Sequence, residues 1–167
     1  MHYYCLHCQT QKCRQIAEML SVITGVTIIQ PKLTQRKWTR GHQEQVIHDY
    51  LPGYIFMYSE EPVTSFYEIK RIQGVFRILG TRENDYQLAG SDLAFAQLLY
   101  DMDGTIGIMK TYEEGNIVKL DSSIYKGFNG TIRRIDRRKA RAEVEFDFDG
   151  STQRVWVGYD MISKQDC

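Results

Sequence analysis

The sequence predicts an α+β chain in two parts: a mixed α/β domain over residues 1–102 and an all-β module over 115–167, joined by a linker over 103–114. Three observations carry this reading. Ile16, Met19, Leu20, Ile23 and, later, Phe95, Leu98, Leu99, Met102 repeat at i, i+3, i+4, i+7, the period of a helix with one apolar stripe. Both stripes lie before residue 103. Beyond it, Ala142, Val144, Phe146 and Phe148 alternate with Arg141, Glu143, Glu145 and Asp147, the period-2 signature of a half-buried strand. Between these regions the stretch DGTIGIMKTYEEG holds three glycines and no clear period.

Taken in order, residues 3–8 (YYCLHC) are aromatic and apolar and predict a strand. The first helix follows. Residues 26–30 (VTIIQ) are β-branched and stop at Pro31, as a second strand would. KLTQRKWTRGHQEQ is polar and basic and reads as an exposed loop or hairpin. LPGYIFMY leads from a turn into a strand. Pro62 is placed to open a second helix, with Val63, Phe66, Ile69 and Ile72 on its buried side and Gly74 at its end. VFRIL is the next strand, and Ser91 or Asp92 caps a third helix. In the all-β part, IRRID and ARAEVEF form strands around a tight RRK turn. Asp149-Gly150 is a hairpin turn, and VWVGY returns. So small a module gains from closing into a barrel, which removes sheet edges.

The bulk numbers exclude several classes. Apolar residues make up 43% of the chain, enough for packed cores. Lys plus Arg number 21 against 21 Asp plus Glu, so the surface is not that of a general nucleic-acid packager. No apolar run reaches the roughly 18 residues that a membrane span needs, and no secretory leader precedes YYCLHC. No membrane partner is expected. Cys5, Cys8 and Cys13 crowd into nine residues, with Cys167 at the far end, a poor layout for a disulfide framework. That points to a cytoplasmic protein with reduced thiols.

Cys5-x2-Cys8-x4-Cys13, near His2 and His7, has a superficial zinc spacing. Residues three apart on a strand face opposite ways, however, and zinc needs converging ligands, so no metal is assigned. The same geometry keeps His7 from activating Cys8. No glycine-rich phosphate loop, paired acidic motif or nucleophile elbow occurs. Neither catalysis nor a cofactor is expected.

The charge is unevenly spread. Residues 133–141 read RRIDRRKAR, six cations and one anion. A hairpin holding Arg133, Arg134, Arg137, Arg138, Lys139 and Arg141, with Lys126 in the adjacent loop, presents a basic surface suited to phosphate. The bland alternative is a solvated turn whose cations pair with Glu143 and Glu145.

GNIVKLDSSIYKGFNGTIRRIDRRKARAEVEF resembles a KOW motif, the sequence of a small SH3-like barrel. Its pattern is met by Gly127, Phe128, Gly130, Ile132 and Ile135. YYCLHC with its following helix, then LPGYIFMY, then RIQGVFRILG, resembles the N-terminal domain of the NusG family of transcription elongation factors. The resemblance implies a NusG-type α/β sandwich, an antiparallel sheet flanked by helices, linked to a KOW barrel. It also implies docking on RNA polymerase, at the clamp helices of the largest subunit, through Leu51, Tyr54 and Phe56.

Within the family, GTIRRIDRRKARAEVEF and VGYDMISK are similar to the LoaP branch of antitermination factors. That similarity implies a monomer recruited by a leader RNA hairpin through the basic barrel. A general elongation factor coupling polymerase to ribosome or Rho is the alternative. The family usually has Phe-Gly-Arg where Phe148-Asp149-Gly150-Ser151 stands here, Phe at Leu51, and Trp at Tyr3. A tail that refolds as a helical hairpin, as in the RfaH branch, conflicts with the strict alternation over 141–148.

Overall fold

The computed structural model describes residues 1–80 and 82–162. Cys167 and the end of VGYDMISK lie outside the described residues. The strands are β1 His2–Cys8, β2 Thr27–Ile29, β3 Lys32–Thr39, β4 His42–Asp49, β5 Tyr54–Ser59, β6 Val75–Ile78, β7 Thr105–Ile106, β8 Met109–Glu114, β9 Ile117–Leu120, β10 Thr131–Asp136, β11 Arg141–Phe148 and β12 Ser151–Met161. The helices are α1 Cys13–Thr24, α2 Phe66–Lys70 and α3 Gly90–Asp101. The chain forms two compact units, Met1–Pro31 with Asp49–Gln97, and Lys32–His48 with Leu98–Cys167.

The first unit is built on an antiparallel sheet in the order β2-β5-β1-β6. Alternation sends Tyr4, Leu6 and Cys8 of β1, with Ile55 and Met57 of β5, to one face. There they pack with Cys13, Ile16, Ala17 and Leu20 of α1 and with Ile69 and Ile72. The buried stripe of α1 therefore has the predicted spacing but sits one notch earlier. Met19 and Ile23 face solvent, 41% and 42% exposed. Cys13 and Ala17 take their places because small side chains let the helix lie close to the sheet. Helix α2 is shorter than predicted and begins at Phe66, well after Pro62.

The other face of β5 is also covered. Phe56 is fully buried, with its ring centroid 5.8 Å from that of Phe95 on α3. The Tyr58 hydroxyl donates to the Ala96 carbonyl at 2.8 Å.

The second unit holds a five-stranded sheet, β10-β11-β12-β8-β9. Its outermost strands, β9 and β10, approach each other and nearly close it into a barrel. Val144, Phe146, Phe148, Val155, Val157 and Tyr159 fill the interior. The stretch read as a linker supplies β7 and β8, and β8 pairs with β9 and β12. Met109 and Thr111 of β8 are buried, but the run is too short and too glycine-flanked to show its period in the sequence. The polar stretch after Pro31 is a hairpin, β3 and β4, turning at Arg40 and Gly41 with φ of 50° and 79°. Its first strand pairs in parallel with β7.

Two glycines of the KOW pattern serve different needs. Gly127 has φ of +77°, the left-handed region open to glycine. Gly130 leaves room: a Cβ there would overlap the Phe128 ring and lie 3.0 Å from Val144 Cγ1. Gly130→Ala is therefore expected to destabilise the second unit by about 1–3 kcal/mol through overpacking. Denaturant unfolding of the variant against wild type checks this; an unchanged midpoint would show that the Phe128 ring yields freely.

Candidate functional site

The hairpin of β10 and β11 sets the first candidate surface. Its turn is fixed by Asp136, whose Oδ1 accepts the Lys139 backbone N–H at 3.0 Å. Arg138 and Lys139 project from that turn, exposed and, among the described residues, without an ion-pair partner. Lys126, in the loop before β10, is likewise exposed.

The other four cations are paired. Arg133 donates from Nη2 to Glu145 Oε1 at 2.9 Å, and Arg134 from Nη2 to Glu143 Oε2 at 2.6 Å. Arg137 reaches Glu113 at 3.1 Å, and Arg141 lies 3.4 Å from Asp136. Arg154, which the sequence reading did not single out, shares Glu145 with Arg133. The bland reading of the charge run therefore describes most of it, and the unneutralised charge is concentrated at the tip. The hydrogen bond from Arg134 holds the Glu143 carboxyl below the usual carboxylate range, and the one from Arg133 does the same for Glu145.

Cross-strand register organises this outer face. Arg134, Glu143 and Trp156 are direct neighbours on β10, β11 and β12. The guanidiniums of Arg134 and Arg141 lie 5.3 Å and 4.7 Å from the Trp156 ring centroid, within cation–π range. The two other aromatics near the basic loop belong to the interior. Tyr125 is buried, and its hydroxyl accepts the Lys110 N–H at 2.7 Å. Phe128 packs on Phe146 at 5.4 Å. Trp156 falls with Arg154 in the phase of β12, opposite the buried Val155 and Val157.

The second candidate surface lies at the Pro-Gly-Tyr turn of the first unit. Gly53, with φ of +95°, accepts the Cys8 N–H at 2.7 Å, and a Cβ there would stand 3.0 Å from the Cys8 carbonyl oxygen. Leu51 adopts a left-handed φ of 47° and is buried. Phe56 is fully buried under α3, so it supports this surface from beneath and is not part of it. Both faces of β5 are therefore covered within the protein, one by α1 and the other by α3. Tyr54 is partly exposed. It stacks on His7, its partner across the strands, at 4.7 Å and 15°. His7 in turn meets Phe76 edge-on at 5.5 Å, and Phe76 is 64% exposed. His7 and Phe76 were missed because their proximity to Tyr54 depends on the pairing of β1 with β5 and β6.

Cys5, Cys8 and Cys13 are buried, and burial pushes the Cys8 thiol up to about 12, so no thiolate forms near neutrality. Among the described residues no group of three or more His, Cys, Asp or Glu could hold a metal ion. No helix among them is long and apolar enough to cross a membrane.

The chain thus comprises a sheet-and-helix unit with an aromatic turn and a near-closed barrel with a basic tip. The family model described as "Transcription termination factor nusG" matches residues 1–94, more than half of the chain. The chain belongs to the NusG family of transcription termination/antitermination factors, which are not enzymes. It is 26% identical over 155 residues to the "Transcription termination/antitermination protein NusG" of Rickettsia felis, covering 92% of this chain and 80% of that protein. The protein of the same name from Rickettsia conorii is 26% identical over 129 residues, covering 76% of this chain and 67% of the relative. A solved structure described as "Domain interaction in Thermotoga maritima NusG" is similar with a TM-score of 0.51 and 14% identity, covering 94% of this chain and 93% of that one. That likeness concerns the fold, a NusG-type first part and an SH3-like barrel.

Two outcomes follow from the geometry. Phe56→Ala is expected to cost about 3–5 kcal/mol of stability. Phe76→Ala, at an exposed position, should stay within about 0.5 kcal/mol. Urea melts of both variants test the assignment of one ring to the core and the other to the surface. Glu143 and Glu145 have lowered folded-state pKa values, so the stability they contribute is fully present above the unfolded carboxylate value of about 4. It is lost as pH falls through the folded values. Melting temperature should hold from about pH 7 to 5 and drop below about 4. In a Glu143→Gln/Glu145→Gln variant that acid drop should be smaller.

Proposed function

We propose that this protein is a targeted antitermination factor of the LoaP type. Residues 1–102 dock on the clamp helices of the largest subunit of RNA polymerase, as members of the NusG family bind polymerase. The docking surface is the turn around Leu51 and Tyr54, supported by Phe56 below and extended by His7 and Phe76. Aromatic side chains anchor such contacts because they bury large area at little entropic cost.

Residues 115–167 bind a hairpin in a leader RNA through Arg138, Lys139 and Lys126. Arg133, Arg134, Arg137 and Arg141 contribute where phosphate replaces a carboxylate partner. The observation that carries this reading is the pair of unneutralised cations on a turn held rigid by Asp136. Duplex RNA is read mainly through its shape, phosphates and 2′-hydroxyls, which a rigid basic tip can meet. Binding polymerase in its elongating state favours that state without any chemical step. The factor works as a monomer and needs no cofactor.

A second reading is favoured by the pairing of the other four arginines with carboxylates. On that reading the barrel is a general elongation module that meets a ribosomal protein or Rho, and its charge is solvated surface.

Hairpin RNA binding by the full chain separates the two. Three neutralised phosphates give a slope of log K against log salt of about −3. Arg138→Ala/Lys139→Ala should make that slope shallower by about 2, since each phosphate contributes about 0.9. A salt slope near zero, or one untouched by the double variant, favours the general elongation module.

A further inference from the structure

The outer face of the barrel carries a cleft that the basic tip does not explain. It has a volume of about 140 Å³ and is lined by Gln35, Arg36 and Lys37 of β3, Arg141 of β11, and Trp156 and Gly158 of β12. Of its seven lining residues, Val157 among them, three are cationic and none is acidic. The cleft is far below the roughly 300–1,000 Å³ of pockets for drug-sized ligands. It suits one small planar group beside an aromatic ring.

Its walls are built rather than incidental. Arg36 is held by three hydrogen bonds: to the Ala140 carbonyl at 3.2 Å, the Tyr159 carbonyl at 2.9 Å and Asp160 Oδ1 at 2.7 Å. Gly158 forms the floor, and a Cβ there would lie 2.5 Å from Ile108 Cδ1 and 3.5 Å from Arg36 Cδ. Arg141 lies over the Trp156 ring, and among the described residues its buried Nε is held only by a long ion pair, 3.4 Å from Asp136 Oδ2. An acceptor that enters the cleft can compete with Asp136 for this donor. Lys37 is exposed at the rim with no ion-pair partner among the described residues.

We propose that this cleft binds a single unpaired nucleotide of RNA. The base stacks against the Trp156–Arg141 pair, its edge meets the Gln35 amide, and its phosphate meets Lys37. Unpaired bases are read in this way, by stacking on aromatic rings or guanidinium planes and by hydrogen bonds to their edges. The inference rests on the RNA-binding reading above and adds to it a subsite for a bulged or looped nucleotide. The tip then supplies affinity for any duplex, and the cleft supplies preference for an interrupted one.

The test uses the full chain in a Trp38→Phe background, so that Trp156 is the only indole. Three probes are titrated at low salt: a hairpin RNA with one bulged adenosine, the same hairpin without the bulge, and adenosine monophosphate. The bulged RNA is expected to quench Trp156 and to bind about tenfold tighter than the unbulged one, the scale of one base stack. Trp156→Leu should erase that difference and leave affinity for the unbulged hairpin unchanged. Lys37→Glu, an exposed change that folding tolerates, should reduce the preference in the same way. Equal affinity for both hairpins without quenching overturns the subsite and leaves the RNA-binding reading standing. Adenosine monophosphate binding as tightly as the bulged RNA overturns it in favour of a free-nucleotide site. Failure of both hairpins to bind overturns the subsite and the RNA-binding reading together.

Discussion

The outer face of the barrel depends on one nearly buried carboxylate. Glu143 is 5% exposed and stands between Arg134 and Trp156 in the cross-strand register. A carboxylate in that position must be paired, because desolvating an uncompensated charge is costly. Arg134 meets the need with two hydrogen bonds, from Nε at 3.1 Å and Nη2 at 2.6 Å. The same contact fixes the guanidinium near Trp156. Glu145 repeats the device one pair along, between Arg133 and Arg154. The result is a sheet face on which cations and anions alternate in a set geometry.

That lattice changes the meaning of the cationic run. Arginines held by carboxylates do not act as free charges, yet they present flat, oriented guanidinium planes. The free charge is displaced to the turn, where Arg138 and Lys139 stand apart. The barrel thus separates free charge from oriented guanidinium planes, which a uniform basic patch would merge. On the RNA-binding proposal, charge at the tip attracts any phosphate backbone, while the planes around Trp156 respond to the shape of what arrives.

Much of the fold was legible because its periods are strong. The alternation in β11 and β12 and the stripe of α3 follow directly from apolar spacing. The stripe of α1 was read one notch late, since Met19 and Ile23 outweigh Cys13 and Ala17 in hydrophobicity while the helix packs through its smaller residues. Strand β8 was only weakly legible because its buried residues, Met109 and Thr111, include a polar one. The sites were less legible than the fold. Which arginines are free, and that Phe56 lies beneath α3 while Phe76 lies in the open, depend on pairing across strands, which a linear pattern does not contain.

The RNA-binding proposal gives the balance of 21 cations and 21 anions a physical reason. At physiological salt, fields from exposed charges fade over about 8 Å. A neutral chain therefore has little long-range hold on nucleic acid, but two cations at a rigid tip still act on a phosphate in contact. Carboxylates beside the paired arginines deepen that contrast, since a phosphate must displace them to gain from those side chains. Indiscriminate binding to a backbone is weakened by this competition. A partner that also fills the Trp156 cleft gains free energy that a uniform duplex does not. On the RNA-binding proposal, selectivity in this barrel follows from placing acids next to bases rather than from net charge.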